Sequence, residues 1–167
     1  KSVRWGVLPM LVLSSAAGAY AATDSTTFKV KITITESCDI HTTAATDVDF
    51  GSHARSTGLW DAAGNLVVNC SQGTPYNIGL NEGLNSTAVT ASATNRRMAL
   101  GGNYVPYGLY RDSGRTQFWG NVIGTDALTG TGTAANVNVP VYGRVPSAST
   151  NVPAGTYVDT VTATITY

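Results

Sequence analysis

The chain is 167 residues long, 43% hydrophobic and only 12% charged, and ten Lys+Arg balance ten Asp+Glu for a formal net charge of +0. That length is enough for one domain with its own core, and the charge balance argues against a basic nucleic-acid binder or an acidic, solvated tail. Thr, Ser, Asn and 18 Gly supply the polar character, a composition that favours strands and turns over helices.

Residues 1–21 read KSVRWGVLPMLVLSSAAGAYA. Lys1 and Arg4 precede a mostly apolar run from Trp5 to Leu13, and Ala19-Tyr20-Ala21 fits a small-x-small cleavage site. This pattern predicts an export signal cleaved after Ala21. The alternative, a membrane anchor, is disfavoured, because the run is too short to span about 30 Å of hydrocarbon. Removing residues 1–21 leaves 8 basic and 10 acidic side chains, a formal charge of −2. Export also gives meaning to Cys38 and Cys70, the only two cysteines. In an oxidising compartment they are expected to form one disulfide. On the chain-entropy account that bond stabilises the fold by roughly 3–4 kcal/mol. Two separate buried thiols are the alternative; the spacing is not that of a zinc site.

Ser25 to Thr35 carries the cleanest period-two pattern in the chain. Phe28, Val30, Ile32 and Ile34 are separated by Thr27, Lys29, Lys31, Thr33 and Thr35. Period two predicts a strand with one dry and one wet face, and the lysines discourage uncontrolled edge pairing. Short pieces follow at Cys38 to Ile40 and Val48 to Phe50, then a loop over Gly51 to Gly58. Strands are predicted at Leu66 to Cys70, Tyr76 to Leu80 (entered through Pro75) and Met98 to Leu100, with a loop over Asn81 to Thr94. Tyr104 to Arg111 carries Val105, Tyr107 and Leu109 on one side and Tyr104 and Tyr110 on the other. Asp112-Ser113-Gly114 reads as a turn, and Gln117 to Trp119 returns as strand. Gly124 to Ala135 reads as a Gly/Thr-rich loop. Val137 to Tyr142 alternates again, with Pro140 favouring an edge or a bulge. After a loop over Val145 to Gly155, Tyr157 to Tyr167 forms the last strand. It has Val161, Ala163, Ile165 and Tyr167 on one face and threonines on the other. No sustained 3.6-residue period appears, no repeat is visible and no linker divides the body. The expectation is an all-β fold, a sandwich of immunoglobulin type.

The two ends frame the functional question. The last predicted strand runs to Tyr167, and its edge is expected to be left uncovered. Only Thr35, Glu36 and Ser37 separate the leading strand from Cys38. Pattern alone favours a leading strand that pairs within its own domain. The alternative is that it pairs with another molecule. A sandwich lacking its last strand exposes a ladder edge and a slot into the core, which an added strand fills. Phe28, Val30, Ile32 and Ile34 would then contribute roughly 1.5–3 kcal/mol each on full burial. A contact in which one end donates and the other accepts is heterologous and generally builds a fibre.

The chain resembles the spore coat protein U domain family, which includes major pilins of archaic (Csu-type) chaperone–usher pili. The resemblance spans residues 23–167. It rests on F-K-V-K-I-T-I followed by Cys38, Phe50-Gly51, Val68 to Cys70, and Tyr107-Gly108-Leu109-Tyr110-Arg111-Asp112 with Arg115 and Trp119. It continues in Val139-Pro140-Val141-Tyr142-Gly143-Arg144-Val145-Pro146, and in Gly155-Thr156-Tyr157 with Asp159-Thr160. It implies an incomplete immunoglobulin-like sandwich (residues 38–167) completed by a donated N-terminal strand (residues 22–37) of a neighbouring copy. The donor side chains would be Phe28, Val30, Ile32 and Ile34. The acceptor edge would be Val161, Ala163, Ile165 and Tyr167. The implied partners are other copies of the subunit, a periplasmic chaperone and an outer-membrane usher. The implied destination, reached through the periplasm, is a pilus on the cell surface that supports adhesion and biofilm formation. A self-complete secreted binding module, or a tip adhesin with a second domain, is the competing reading.

Nothing points to an enzyme, a cofactor or a nucleic-acid partner. His41 and His53, with Asp39, Asp47 and Asp49 nearby, lie in loop-like stretches without a third ligand at recognisable spacing. Gly130-Thr131-Gly132-Thr133 lacks the Lys and the helix of a phosphate loop. Ser71 and Ser113 have no nucleophile context. Arg111, Asp112 and Arg115 are expected to form a local ion-pair network that fixes a hairpin. Tyr104, Tyr107, Tyr110 and Trp119 are expected in core and edge packing rather than in a ligand patch.

Overall fold

The computed structural model describes residues 22–41, 43–55, 58–92, 95–147 and 150–167. The expected signal, residues 1–21, lies outside them. The chain divides into two units between Thr33 and Ile34. In the first, residues 22–33 belong to no strand and every one is exposed. The second holds all the strands, and no described residue is helical.

Among the described residues nine strands form: β1 (Cys38–Asp39), β2 (Trp60–Cys70), β3 (Pro75–Leu80), β4 (Arg97–Leu100), β5 (Asn103–Pro106), β6 (Gly108–Tyr110), β7 (Leu128–Thr131), β8 (Asn136–Val145) and β9 (Ala163–Thr166). One sheet has the order β1-β2-β8-β6, a second β7-β3-β9, and β4-β5 is a separate hairpin. Every pairing is antiparallel. The centre is the ten-residue ladder between β2 and β8, from Trp60↔Val145 to Asn69↔Asn136. Side chains alternate across a strand, so Leu66, Val68, Val139 and Val141 of the first sheet enter the core with Tyr76, Ile78 and Leu80 of the second. Trp119 fills the middle. It is fully buried, and its Nε1–H donates to the Ile78 carbonyl at 2.8 Å. This is the all-β sandwich the pattern predicts.

Several details differ from the pattern. β2 starts at Trp60, six residues before the apolar run, because Asp61 and Gly64 have partners that a strand interior tolerates. Asp61 accepts two hydrogen bonds from Arg144 across the β2–β8 ladder, at 2.7 and 2.8 Å. Arg115 Nε lies 3.2 Å from the same carboxylate. The ion-pair network is therefore Asp61–Arg144–Arg115. Asp112 instead caps its turn, accepting from the main-chain N–H groups of Thr116 and Gln117, and Arg111 donates to the Ala127 carbonyl. The segment read as a Gly/Thr loop contains β7, an edge strand on β3. Gln117 to Trp119 makes only a single bridge, Tyr110↔Phe118. Pro140 lies inside β8, yet β6 pairs with β8 only over Tyr142 to Arg144. Pro140 thus has a strand on one side alone, and its missing N–H leaves no gap in a ladder. Val105, Tyr107 and Leu109 are buried together as the alternation requires, while Tyr104 stays exposed beneath the Arg97 guanidinium.

Candidate functional site

The leading segment carries its apolar face uncovered. Phe28 is 85% exposed, Val30 89%, Ile32 80% and Ile34 76%. Residues 22–37 lie in no strand, so the expectation of a strand paired within its own domain is not met. Alternation specifies which face a strand buries, but a strand forms only where a ladder partner exists.

The closing segment carries the complementary defect. Along one side it is paired. Val158 and Ala99 exchange N–H···O=C bonds at 2.9 and 3.2 Å, Leu84 N–H donates to Thr160 O, and Thr162 and Asn81 bond main chain to main chain. Asn81 Oδ1 also accepts from Thr162 N–H at 2.9 Å. β9 then continues on β3 through Ala163↔Leu80 and Thr166↔Asn77. These contacts use the even-numbered Val158, Thr160 and Thr162. Hydrogen-bonding direction alternates along a strand, so the main-chain groups of Asp159 and Val161 point to the other side. Among the described residues the main chain of Val161 has no hydrogen-bond partner there. No described strand lies on that side of β9.

Burial shows the same opening. Tyr157, Val161, Ala163 and Ile165 point inward at every second residue and pack on the core, but each remains only half-buried. Ile78 and Leu80 on the adjacent β3 are 0% and 2% exposed. Tyr167, at the end of the row, is exposed. Of the four residues predicted as an acceptor edge, Ala163 and Ile165 share one face of β9, with Val161 before it and Tyr167 after it. Three are half-covered and the last is uncovered.

The segment 46–50, which the sequence marks only as a short apolar piece, forms a wall of a cleft, its Val48, Asp49 and Phe50 lining it together with Val152 and Tyr157. Thr46 bridges Asn65 of β2, with main-chain bonds of 2.9 and 3.4 Å. It then turns inward over two glycines. A Cβ on Gly64 would collide with the carbonyl oxygens of Thr46 and Asp47, and one on Gly143 would meet Val48 and Phe50. Val48 and Phe50 are half-buried against the core, while Asp47 and Asp49 alternate with them and are exposed. Where this wall faces Val152 and Tyr157, over Trp60 and Met98, the surface opens into a cleft of about 570 Å³.

Polar groups stiffen the paired side. Arg96 is fully buried and donates to the carbonyls of Leu80, Asn81 and Trp119 at 2.6–2.9 Å. Burial lowers its pKa from the ordinary arginine value. Tyr107 donates its hydroxyl to Asp159 at 2.7 Å, and Asp159 in turn accepts from Asn85 N–H and Nδ2. Burial, followed by this carboxylate, pushes the Tyr107 phenol well above its usual range. Sequence reading missed Arg96 as a buried cation, because nothing in its spacing separates it from the half-buried Arg97.

Cys38 and Cys70 are joined in a disulfide at directly opposed positions of β1 and β2. His41 lies exposed beside Asp39. His53 stacks on Trp60 with ring centroids 4.5 Å apart and lies 2.5 Å from the Phe50 carbonyl. Among the described residues no group of three His, Cys, Asp or Glu side chains is placed to hold a metal ion.

Comparison with known proteins agrees with this architecture. The chain is 45% identical over 107 residues to Protein U of Myxococcus xanthus, covering 62% of this chain and 59% of that protein. Its fold is similar to a chain in the crystal structure of the CsuC–CsuE chaperone–tip adhesion subunit pre-assembly complex from archaic chaperone–usher Csu pili of Acinetobacter baumannii. There the TM-score is 0.57 at 25% identity, covering 81% of this chain and 40% of that one. The chain thus spans well under two thirds of the length of either relative. Residues 24–164 match the family model of the Spore Coat Protein U domain, and the chain belongs to that family.

Proposed function

We propose that this protein is a structural subunit of a surface pilus assembled by the chaperone–usher pathway. In this reading residues 38–167 form a sandwich one strand short. Residues 22–37 of the next copy supply that strand, with Phe28, Val30, Ile32 and Ile34 entering the groove beside Val161, Ala163, Ile165 and Tyr167. The observation that carries the reading is the match of the two defects. An alternating segment with four exposed apolar side chains occurs in the same chain as a final strand with one unpaired side and a half-covered inward face. Seven residues from Phe28 to Ile34 extend over roughly 23 Å, and Val161 to Tyr167 is also seven residues long. The family membership and the likeness to a pilus-subunit complex support the same reading.

The mechanism needs no bond chemistry. Main-chain hydrogen bonds complete the ladder on the open side of β9, and alternate side chains fill the slot. A half-covered core would attract any free strand, so a periplasmic chaperone shields the groove until an outer-membrane usher hands the subunit over. Repetition gives a linear homopolymer outside the cell, serving adhesion and biofilm formation. The test is a gel of unboiled and boiled protein. The full chain should give a heat-resistant ladder of oligomers, and a chain lacking residues 23–35 should not. A full chain that stays monomeric without any chaperone, or a truncated chain that still makes fibres, overturns the proposal.

A further inference from the structure

The groove wall and the leading segment carry opposite charge at the same period. On the leading segment Lys29 and Lys31 separate Phe28, Val30 and Ile32, and both are exposed. On the wall Asp47 and Asp49 flank Val48 and precede Phe50, and both are exposed. In each case the charged residues sit two apart, about 6.6–6.8 Å along an extended chain. Their apolar neighbours define the other face. Val48 and Phe50 turn inward over Gly143, so Asp47 and Asp49 face outward. The closing segment offers no such charge, since its outward residues are Thr160, Thr162, Thr164 and Thr166. Asp49 accepts from Gly51 N–H at 2.8 Å, an arrangement that holds its carboxylate in place. Arg55 lines the cleft beyond His53, so the negative stretch is confined to positions 47–49.

We propose that Lys29 and Lys31 of one copy pair with Asp47 and Asp49 of the next, so that the groove selects its incoming strand by charge on the outer face as well as by apolar fit on the inner one. The inference rests on the strand-donation reading and adds a recognition element to it. A strand inserted with Phe28, Val30, Ile32 and Ile34 inward must present Lys29 and Lys31 outward. Beside the 46–50 wall they meet its only two outward charges. Opposite charges across neighbouring strands favour pairing and like charges oppose it. Because these groups are exposed, the effect on final stability is small. The effect on encounter rate and on the choice between strands is larger.

The experiment uses the full chain and follows the rate of ladder growth on gels. Four proteins are compared: wild type, K29E with K31E, D47K with D49K, and all four changes together. Measurements at low salt and at about 0.5 M salt separate charge from packing, because the screening length falls to a few ångströms. At low salt each double reversal should slow growth roughly tenfold, and the fourfold variant should regain the wild-type rate. High salt should erase the differences. Mixing the two double variants should give mixed ladders faster than either grows alone. A fourfold variant as slow as the doubles, or doubles as fast as wild type, overturns the pairing. I32D serves as the control for the underlying reading. If I32D stops growth while the charge reversals leave it unchanged, strand donation stands and the charge pairing falls. If I32D grows normally, insertion of residues 28–34 falls and takes the pairing with it.

Discussion

If residues 28–34 are donated with one face inward, truncating them should reveal a period of two. Ile32 is 80% exposed in the isolated chain and would be fully covered in a neighbour's groove. Ile32→Ala removes three carbons from that contact, about 2.4 kcal/mol at ~0.8 kcal/mol per buried methylene. One factor of ten corresponds to about 1.4 kcal/mol, so the junction should weaken roughly 50-fold. Thr33→Ala alters the opposite face and should change the junction by less than about threefold. The assay is dissociation of preformed oligomers in urea, read as the loss of ladder bands with time. Phe28, Val30 and Ile34 should behave like Ile32, and Thr27 and Thr35 like Thr33. Equal losses at Ile32 and Thr33, or none at either, would refute the reasoning, because no strand in a groove treats its two faces alike.

Two further expectations concern the body. Gly64→Ala places a methyl group against the Thr46 and Asp47 carbonyls; it should cost about 1–3 kcal/mol in urea unfolding and reduce ladder yield by displacing the 46–50 wall. Asp61 is held below the ordinary carboxylate value, first by its hydrogen bond from Arg144 and also by the nearby Arg115 charge. A lowered folded-state pKa gives stability that is present above the unfolded value of about 3.9 and lost as pH falls through the folded one. Asp61→Asn should therefore cost up to about 1 kcal/mol at neutral pH, allowing for solvent screening, and the difference from wild type should vanish in thermal melts well below pH 4.

Much of this was readable in the residues, and the unreadable parts share a cause. β3, β4 and the disulfide follow from local pattern and compartment. The two faces of the leading and closing segments follow from alternation alone. The first half of β2 was hidden because Asp61 and Gly64 do not look like strand residues. Each is explained by something distant in sequence: Arg144 across the ladder, and the carbonyls of segment 46–50 pressed against Gly64. The same holds for Arg96, whose carbonyl partners are the end of β3 with Asn81 after it, and Trp119. The segment 46–50 matters more for function. Val48 and Phe50 were visible as apolar, but only the fold sets them opposite Tyr157, and only that placement turns Asp47 and Asp49 outward. Register between distant segments is not encoded in any short window, so charge pairs that depend on it appear only once the chain is folded.

The disulfide has a mechanical consequence. Cys38 stands at the root of the leading segment, and Ser37 O accepts from Ser71 N–H at 2.8 Å beside it. In a fibre joined by strand donation, a pull on one subunit arrives through residues 22–37 and meets Cys38 first. The covalent bridge passes that load directly to Cys70 at the end of β2, which is zipped to β8 over ten residue pairs. The stretch from residue 40 to the start of β2, segment 46–50 included, lies off this path, so tension cannot pay it out as slack.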